Sequence, residues 1–244
     1  MPDCENAVLK ELHDRRSVRA FTGAPIPPEA RQAILEAAAQ APSAGCQQLY
    51  TILDIQDPDL KAALVKTCDN QPFIAQAELV LVFCADCRKW YKGFADCGCD
   101  PRKPGVGDLL LAVSDTNIAA QNAVTAAWSL GIGSCYIGDI MVSCEEQRRL
   151  LGLPKYVFPA AMVVFGWPTE QQLHREKPRR APLEKLVYRD RYPDMTEEDR
   201  KALFDRAPEK PYEDYMRAFC ARKYNSDFSR EMTRSVGEYL KDFL

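Results

Sequence analysis

The amino-acid sequence predicts an α+β fold, a sheet of short strands flanked by helices. Three observations lead there. Four apolar runs, at residues 49–55, 79–84, 134–140 and 159–166, have strand length and are bounded by glycine, proline or polar clusters. Between them lie stretches with helical patterning, of which residues 114–130 are unusually rich in alanine. Small side chains such as Ala119, Ala120, Ala123 and Ala127 permit close approach, so this helix is expected at the centre of the fold or of a dimer interface. After Trp167-Pro168 the strand pattern stops.

The elements follow in order. A first helix is expected over residues 5–14. Pro25-Ile26-Pro27-Pro28 interrupts the chain, and a second helix runs over 29–40 with Pro28 in its first turn, where a missing N–H is tolerated. Ala41-Pro42-Ser43-Ala44-Gly45 ends it. After the first strand, Asp57-Pro58 opens a short helix at 59–67. Residues 95–107 carry glycines, prolines and polar groups and read as a loop. Ser114 or Asp115 is placed to cap the alanine-rich helix and Gly131 to stop it. A short helix is expected at 144–151. Residues 169–182 are polar and basic and read as a loop, followed by helical patterns at 197–204, 212–222 and 227–243. Their weak apolar faces point to an extension that wraps a partner subunit. The expected division is a core at 1–168 and a basic loop with helical extension at 169–244, within the same domain.

Composition excludes several classes. The chain has 244 residues and a net charge of −3, which gives a nucleic-acid or membrane-surface role no electrostatic support. No apolar stretch is long enough to span a bilayer, no charged-then-apolar segment opens the sequence, and a cytoplasmic location is expected. Ten cysteines are many for such a chain. Cys84-x-x-Cys87 and Cys97-Gly98-Cys99 have the thiolate density of a zinc or iron–sulfur site. Against this, Cys84 lies in the strand-like run and alternation turns Cys87 to the other face. The second pair also lacks the two-residue gap of zinc knuckles. No metal is assigned, and a cysteine-metal or flavin redox sensor stays as the alternative to an enzyme.

Chemistry concentrates near the N-terminus. Arg15-Arg16-Ser17-Val18-Arg19 sets three guanidiniums and a hydroxyl within five residues, the donor set that grips a phosphate. Against an acidic background, this favours a small anionic ligand over a polyanion. The two histidines, His13 and His174, stand in no triad or metal-ligand spacing, and no nucleophile elbow or P-loop occurs. The glycines at 131, 133 and 138 are wrongly spaced for a dinucleotide fingerprint and follow a helix. Hard chemistry would therefore come from a bound cofactor.

Several segments occur in a telling order: Arg15-Arg16-Ser17-Val18-Arg19-Ala20-Phe21 with Pro25-Ile26, Ala41-Pro42-Ser43-Ala44-Gly45-Cys46-Gln47-Gln48, and Asp69-Asn70-Gln71-Pro72-Phe73. Asp115-Thr116 follows, then Gly131-Ile132-Gly133 with Tyr136-Ile137-Gly138, and Gly166-Trp167-Pro168 with Lys177-Pro178-Arg179. In this order and spacing the chain resembles the FMN-dependent nitroreductase family, in its oxygen-insensitive nitroreductase and flavin reductase branch.

The resemblance implies a mainly antiparallel central sheet and an intertwined homodimer with two FMN molecules at the subunit interface. It places the FMN phosphate among Arg15, Arg16 and Ser17, joined by Lys177 and Arg179, and Arg19 at the pyrimidine edge of the flavin. Ser43, Ala44 and Gln47 would line the ribityl chain and ring from the partner subunit. Gln71 would bond the N3/O4 side, and Tyr136, Ile137 and Gly138 would wall the dimethylbenzene and N5 region. Relatives often carry Asn where this chain has Cys46, so that contact is left unassigned. The implied activity is ping-pong transfer of two electrons from NADH or NADPH to nitroaromatics, quinones, azo compounds or flavins. No protein group would serve as a catalytic acid or base.

Overall fold

The computed structural model describes residues 6–204 and 210–244. Along them run α1 (Ala7–Asp14), α2 (Pro28–Ala39), β1 (Tyr50–Asp54), α3 (Pro58–Thr67), α4 (Phe73–Gln76) and β2 (Leu79–Asp86). Then come α5 (Arg88–Asp96), α6 (Val106–Ser129), β3 (Gly133–Ile137), α7 (Cys144–Leu151) and β4 (Val157–Gly166). The chain continues through α8 (Glu170–His174), α9 (Glu197–Phe204), α10 (Tyr212–Lys223) and α11 (Asp227–Leu240). Residue 5, the expected start of the first helix, lies outside the described residues.

The sheet has the order β1-β2-β4-β3, and each neighbouring pair is antiparallel. Strands β2 and β4 are buried along their whole length, which explains why they read as continuous apolar runs. Alternate residues serve two cores. Leu79, Leu81, Phe83, Val163 and Phe165 face Ile34 and Ala38 of α2 and Ala120, Ala123, Val124 and Ala127 of α6. Val80, Val82, Met162 and Val164 face the opposite way, toward Leu64, Ile74, Ile140, Tyr239 and Phe243. Each large side chain so buried contributes about 1.5–3 kcal/mol. Small α6 residues let two helices stack on one face of the sheet. Between Phe83 and Cys84 the β2–β4 register shifts, and Pro159 of β4 pairs there, beyond the reach of β3.

Several elements differ from expectation, and one is α8 (Glu170–His174), which forms inside the stretch 169–182 read as a loop. Helix α6 begins at Val106, eight residues before the expected cap. Asp108 Oδ2 accepts the Gly105 N–H at 2.8 Å and stabilises this earlier start, while Ser114 merely donates back to Leu110 O at 3.0 Å. Helix α5 forms because Asp86, at the end of β2, accepts the N–H groups of Arg88 and Lys89 through one oxygen. The third strand ends at Ile137, where a 3-10 turn over Gly138–Met141 takes over.

The chain forms two compact units, Met1–His174 with Glu231–Leu244, and Arg175–Arg230. The final segment therefore packs into the core of its own chain: Tyr239 is fully buried and crosses Phe158 edge-on at 5.1 Å between ring centroids. Ser235 Oγ accepts the Cys144 N–H at 3.0 Å, and Glu231 accepts that of Ser143. Within the second unit, Lys185 pairs with Asp199 of α9 at 2.6 Å.

Candidate active site

The arginine cluster is delivered by α1 and then runs as an extended strap. Val18 N–H donates to Ser134 O at 2.9 Å, so Ser17 bridges Ser134 in parallel at the start of β3. Farther on, Phe21 bridges Pro168, and Thr22 N–H donates to Trp167 O at 2.9 Å just after β4. Two glycines make room. A Cβ on Gly133 would lie 2.5 Å from Val18 Cγ2, and one on Gly166 would lie 2.7 Å from the Phe21 ring. Extended chain alternates, so burying Val18 turns Ser17 and Arg19 outward together.

Arg19 N–H is held by Gln172 Oε1 at 3.1 Å, and its guanidinium favours the charged form of the Cys135 thiol. Burial pushes that thiol's pKa up, against the opposing pull of Arg19 and Arg15. Burial likewise raises the Tyr136 phenol to about 12, and Arg15 again opposes. Arg15, Arg19, Cys135 and Tyr136 thus share one electrostatic neighbourhood. Arg16 takes another path, donating to Asp14 O at 3.4 Å and to Leu173 O. The Tyr136 hydroxyl donates to Gln121 Oε1 at 3.4 Å.

Gln71 follows two left-handed residues, Asp69 and Asn70, with φ of 58° and 51°. Its amide donates to Cys68 O at 3.0 Å. Burial pushes the Cys68 thiol to about 12, and the charge of Asp139 adds to that rise. Asp139 acts on Cys135 in the same sense, so its charge reaches both thiols. Ile137 is buried in β3, whereas Gly138 is exposed, and only the Met141 methyl comes within 4.0 Å of where its Cβ would be.

A second group of site residues sits on the loop between α2 and β1. Ala44–Cys46 forms one 3-10 turn. Gly45, Cys46 and Gln48 all have positive φ, and for the two non-glycine residues this costs about 1–2 kcal/mol each. Ser43 Oγ accepts the Gln48 N–H at 3.0 Å, and Trp90 Nε1 donates to Gln47 O at 2.8 Å. Gln47 also lines a cavity of about 260 Å³ with Trp90, Tyr91, Phe94 and Leu111. Asp115, expected as a helix cap, instead lies buried in mid-helix and accepts the Ala44 N–H. That role gave no sequence signal. Lys177 and Arg179 lie exposed in the second unit.

The clustered cysteines do not converge. Cys84 and Cys87 are both buried, their thiols pushed to about 12 by desolvation, while Cys97 and Cys99 are exposed. Among the described residues, no group of three or more His, Cys, Asp and Glu side chains is arranged to hold a metal. Likewise, no helix among them is long and apolar enough to cross a membrane.

The family model described as Nitroreductase family matches residues 12–167, from the end of α1 through the last sheet strand. The chain belongs to the Nitroreductase family. This agrees with the resemblance drawn from the ordered motifs. Within the family, the chain is 31% identical over 236 residues to FMN reductase [NAD(P)H] of Bacillus subtilis, covering 96% of this chain and 91% of the relative. It is 37% identical over 190 residues to the oxygen-insensitive NADPH nitroreductase of Salmonella typhimurium, covering 78% and 76% respectively. In structure it matches the NADPH:FMN oxidoreductase of Vibrio harveyi solved with NAD+, with a TM-score of 0.76, 27% identity and 97% of each chain covered.

Proposed function

We propose that this nitroreductase-family chain is an FMN-dependent NAD(P)H oxidoreductase. It passes two electrons by a ping-pong mechanism to nitroaromatics, quinones, azo compounds or flavins. The observation that carries the reading is the strap on its glycine bed. It presents Ser17 and Arg19 outward beside Arg15, and Arg15 and Arg19 act on the residues of β3 that end in the open Gly138 turn.

The donor set fits FMN. Arg15, Arg16 and Ser17 supply guanidinium and hydroxyl donors for a phosphate dianion. Arg19 is the cation for the pyrimidine edge, where it favours developing negative charge. Gln71 is assigned the N3/O4 side of the flavin, and Tyr136, Ile137 and Gly138 the wall at its dimethylbenzene and N5 region. Ser43, Ala44 and Gln47 complete the site from a second subunit. Bound there, FMN supplies the hydride-accepting and electron-donating chemistry that no side chain provides. The protein's part is to bind, to orient and to exclude water.

A homodimer is supported by apolar side chains left uncovered on two helices. Leu110, Leu111 and Ile118 of α6 and Val8, Leu9 and Leu12 of α1 are all exposed. Of the extension expected at 169–244, residues 175–230 are the part assigned to packing on the partner, since Glu231–Leu244 belongs to the first unit of this chain; a cytoplasmic location is proposed with it. Acceptors would include small aromatics, for which the ring-lined cavity beside Gln47 is a suitable neighbour.

The test is reconstitution. Purified protein is expected to be yellow, or to take up one FMN per chain with quenching of flavin fluorescence. Protein that stays colourless and leaves added FMN unquenched ends this reading.

A further inference from the structure

We infer that Asp115 is the positioning residue of the loop at residues 43–49, whose shape it holds from the middle of α6. The inference rests on the assignment of Ser43, Ala44 and Gln47 to the flavin wall. Asp115 is 3% exposed, and a carboxylate so buried needs donors. Two of its donors are backbone amides of a distant segment. Ala44 N–H reaches its oxygens at 3.0 and 3.2 Å, and Leu49 N–H reaches Oδ2 at 3.4 Å.

These two amides bracket the strained part of the loop. Between them, Gly45, Cys46 and Gln48 have φ of 55°, 57° and 48°. A backbone with two left-handed residues that carry a Cβ persists only where its surroundings impose it. Other bonds act inside the loop or on its tip, such as Gln48 N–H to Ser43 Oγ and Trp90 Nε1 to Gln47 O, and two more anchor its second half, Gln48 Nε2 to Ala39 O at 3.0 Å and Asp86 N–H to Leu49 O at 2.9 Å. The Asp115 bonds tie both ends to one helix. That helix also packs, through Ala120 and Ala123, on the core containing Val163 of β4 and Ile132, which precedes β3, the strand bridged by the arginine strap. Asp115 therefore sets where the loop stands on the framework, and touches no reacting atom itself. Its donors are neutral N–H groups, so what the loop requires is an acceptor oxygen at this place.

The test compares D115A and D115N by NMR amide exchange on flavin-free protein, followed by FMN titration. Wild type should protect the Ala44 and Leu49 amides. D115A should lose that protection while β2 and β4 keep theirs, and FMN affinity should fall about tenfold or more through two orphaned donors. D115N keeps one acceptor oxygen, so it should keep Ala44 protected and stay within about threefold of wild-type affinity. Protection at Ala44 and Leu49 unchanged in D115A, or FMN affinity unchanged despite its loss, overturns the inference. If D115A does not fold, D115N decides: faster exchange at Leu49, which then faces an amide group, supports it, and unchanged exchange at both positions overturns it. A wild-type chain that binds no FMN would sink the flavin reading, while the exchange data would still report on the clamp.

Discussion

Val18 occupies the space where a side chain on Gly133 would stand: a Cβ there would come within 2.5 Å of Val18 Cγ2 and 2.8 Å of Val18 Cβ. The contact joins the strap to the first residue of β3, and Phe21 repeats it on Gly166. Gly133→Ala and Gly166→Ala must therefore displace backbone or a β-branched or aromatic side chain. Overpacking of this kind destabilises by about 1–3 kcal/mol. Both variants should lower the melting temperature and weaken FMN binding in thermal scans and titrations. Alanine at both positions with wild-type values would mean that the strap is not seated as described.

Arg15 and Arg19 should have separable roles. Arg15→Ala removes a charge-assisted phosphate contact of about 1.5–3 kcal/mol, so FMN should dissociate about tenfold or more readily. Arg19→Ala should also lower the reduction potential of the FMN that stays bound. For a two-electron couple, a loss of about 1.5 kcal/mol corresponds to about 30 mV. Spectroelectrochemistry and equilibrium dialysis check both quantities. Equal effects of the two substitutions on affinity and potential would remove the division of labour.

An acid-sensitive tie holds the last helix. Arg234 pairs at 2.8 Å with Glu145 and with Glu231, and both carboxyls are drawn from 4.5 to about 2, chiefly by these bonds. Depressed folded values make this contribution full above pH 4.5, and it is lost as pH falls toward 2. All three groups are substantially solvated, so the effect is small. Urea unfolding should find Arg234→Ala slightly less stable than wild type at pH 7, with the gap closing below pH 4.5. A gap that widens on acidification would contradict the assignment.

Thiol chemistry should follow burial. Cys68, Cys84 and Cys87 are buried and pushed to about 12, whereas Cys46, Cys97, Cys99 and Cys220 are exposed. Alkylation of native protein at pH 8 should label the exposed four and spare the other three until denaturant is added. Peptide mass spectrometry reads the pattern, and early labelling of Cys84 would argue against a buried β2.

What was legible in the sequence, and what was not, has physical causes. β2 and β4 were readable because a strand covered on both faces is apolar at every position. α5 was not, because its large residues, such as Trp90 and Phe94, are partly exposed, and its cap is the last residue of the preceding strand. Asp115 looked like a local cap, whereas its partner Ala44 lies 71 residues away, and no local pattern reports such a bond. In the sequence Gly133 reads only as part of a wrongly spaced dinucleotide fingerprint. Its real constraint is a tertiary neighbour, Val18, on a segment more than a hundred residues earlier. The tail read as weakly apolar because the residues that bury it, Tyr239 and Phe243, meet partners such as Phe158 and Tyr156 far back in the chain.

The central claim, two-electron transfer through a flavin held by this site, is met most directly by anaerobic stopped-flow absorbance on the FMN-loaded protein. NADPH or NADH should bleach the flavin band in a saturable phase. After removal of the nicotinamide, a nitroaromatic or quinone should restore the band, with one acceptor consumed per flavin and parallel lines in double-reciprocal plots. A flavin band that neither nicotinamide bleaches, or a reduced flavin that no acceptor in the panel reoxidises, would contradict it.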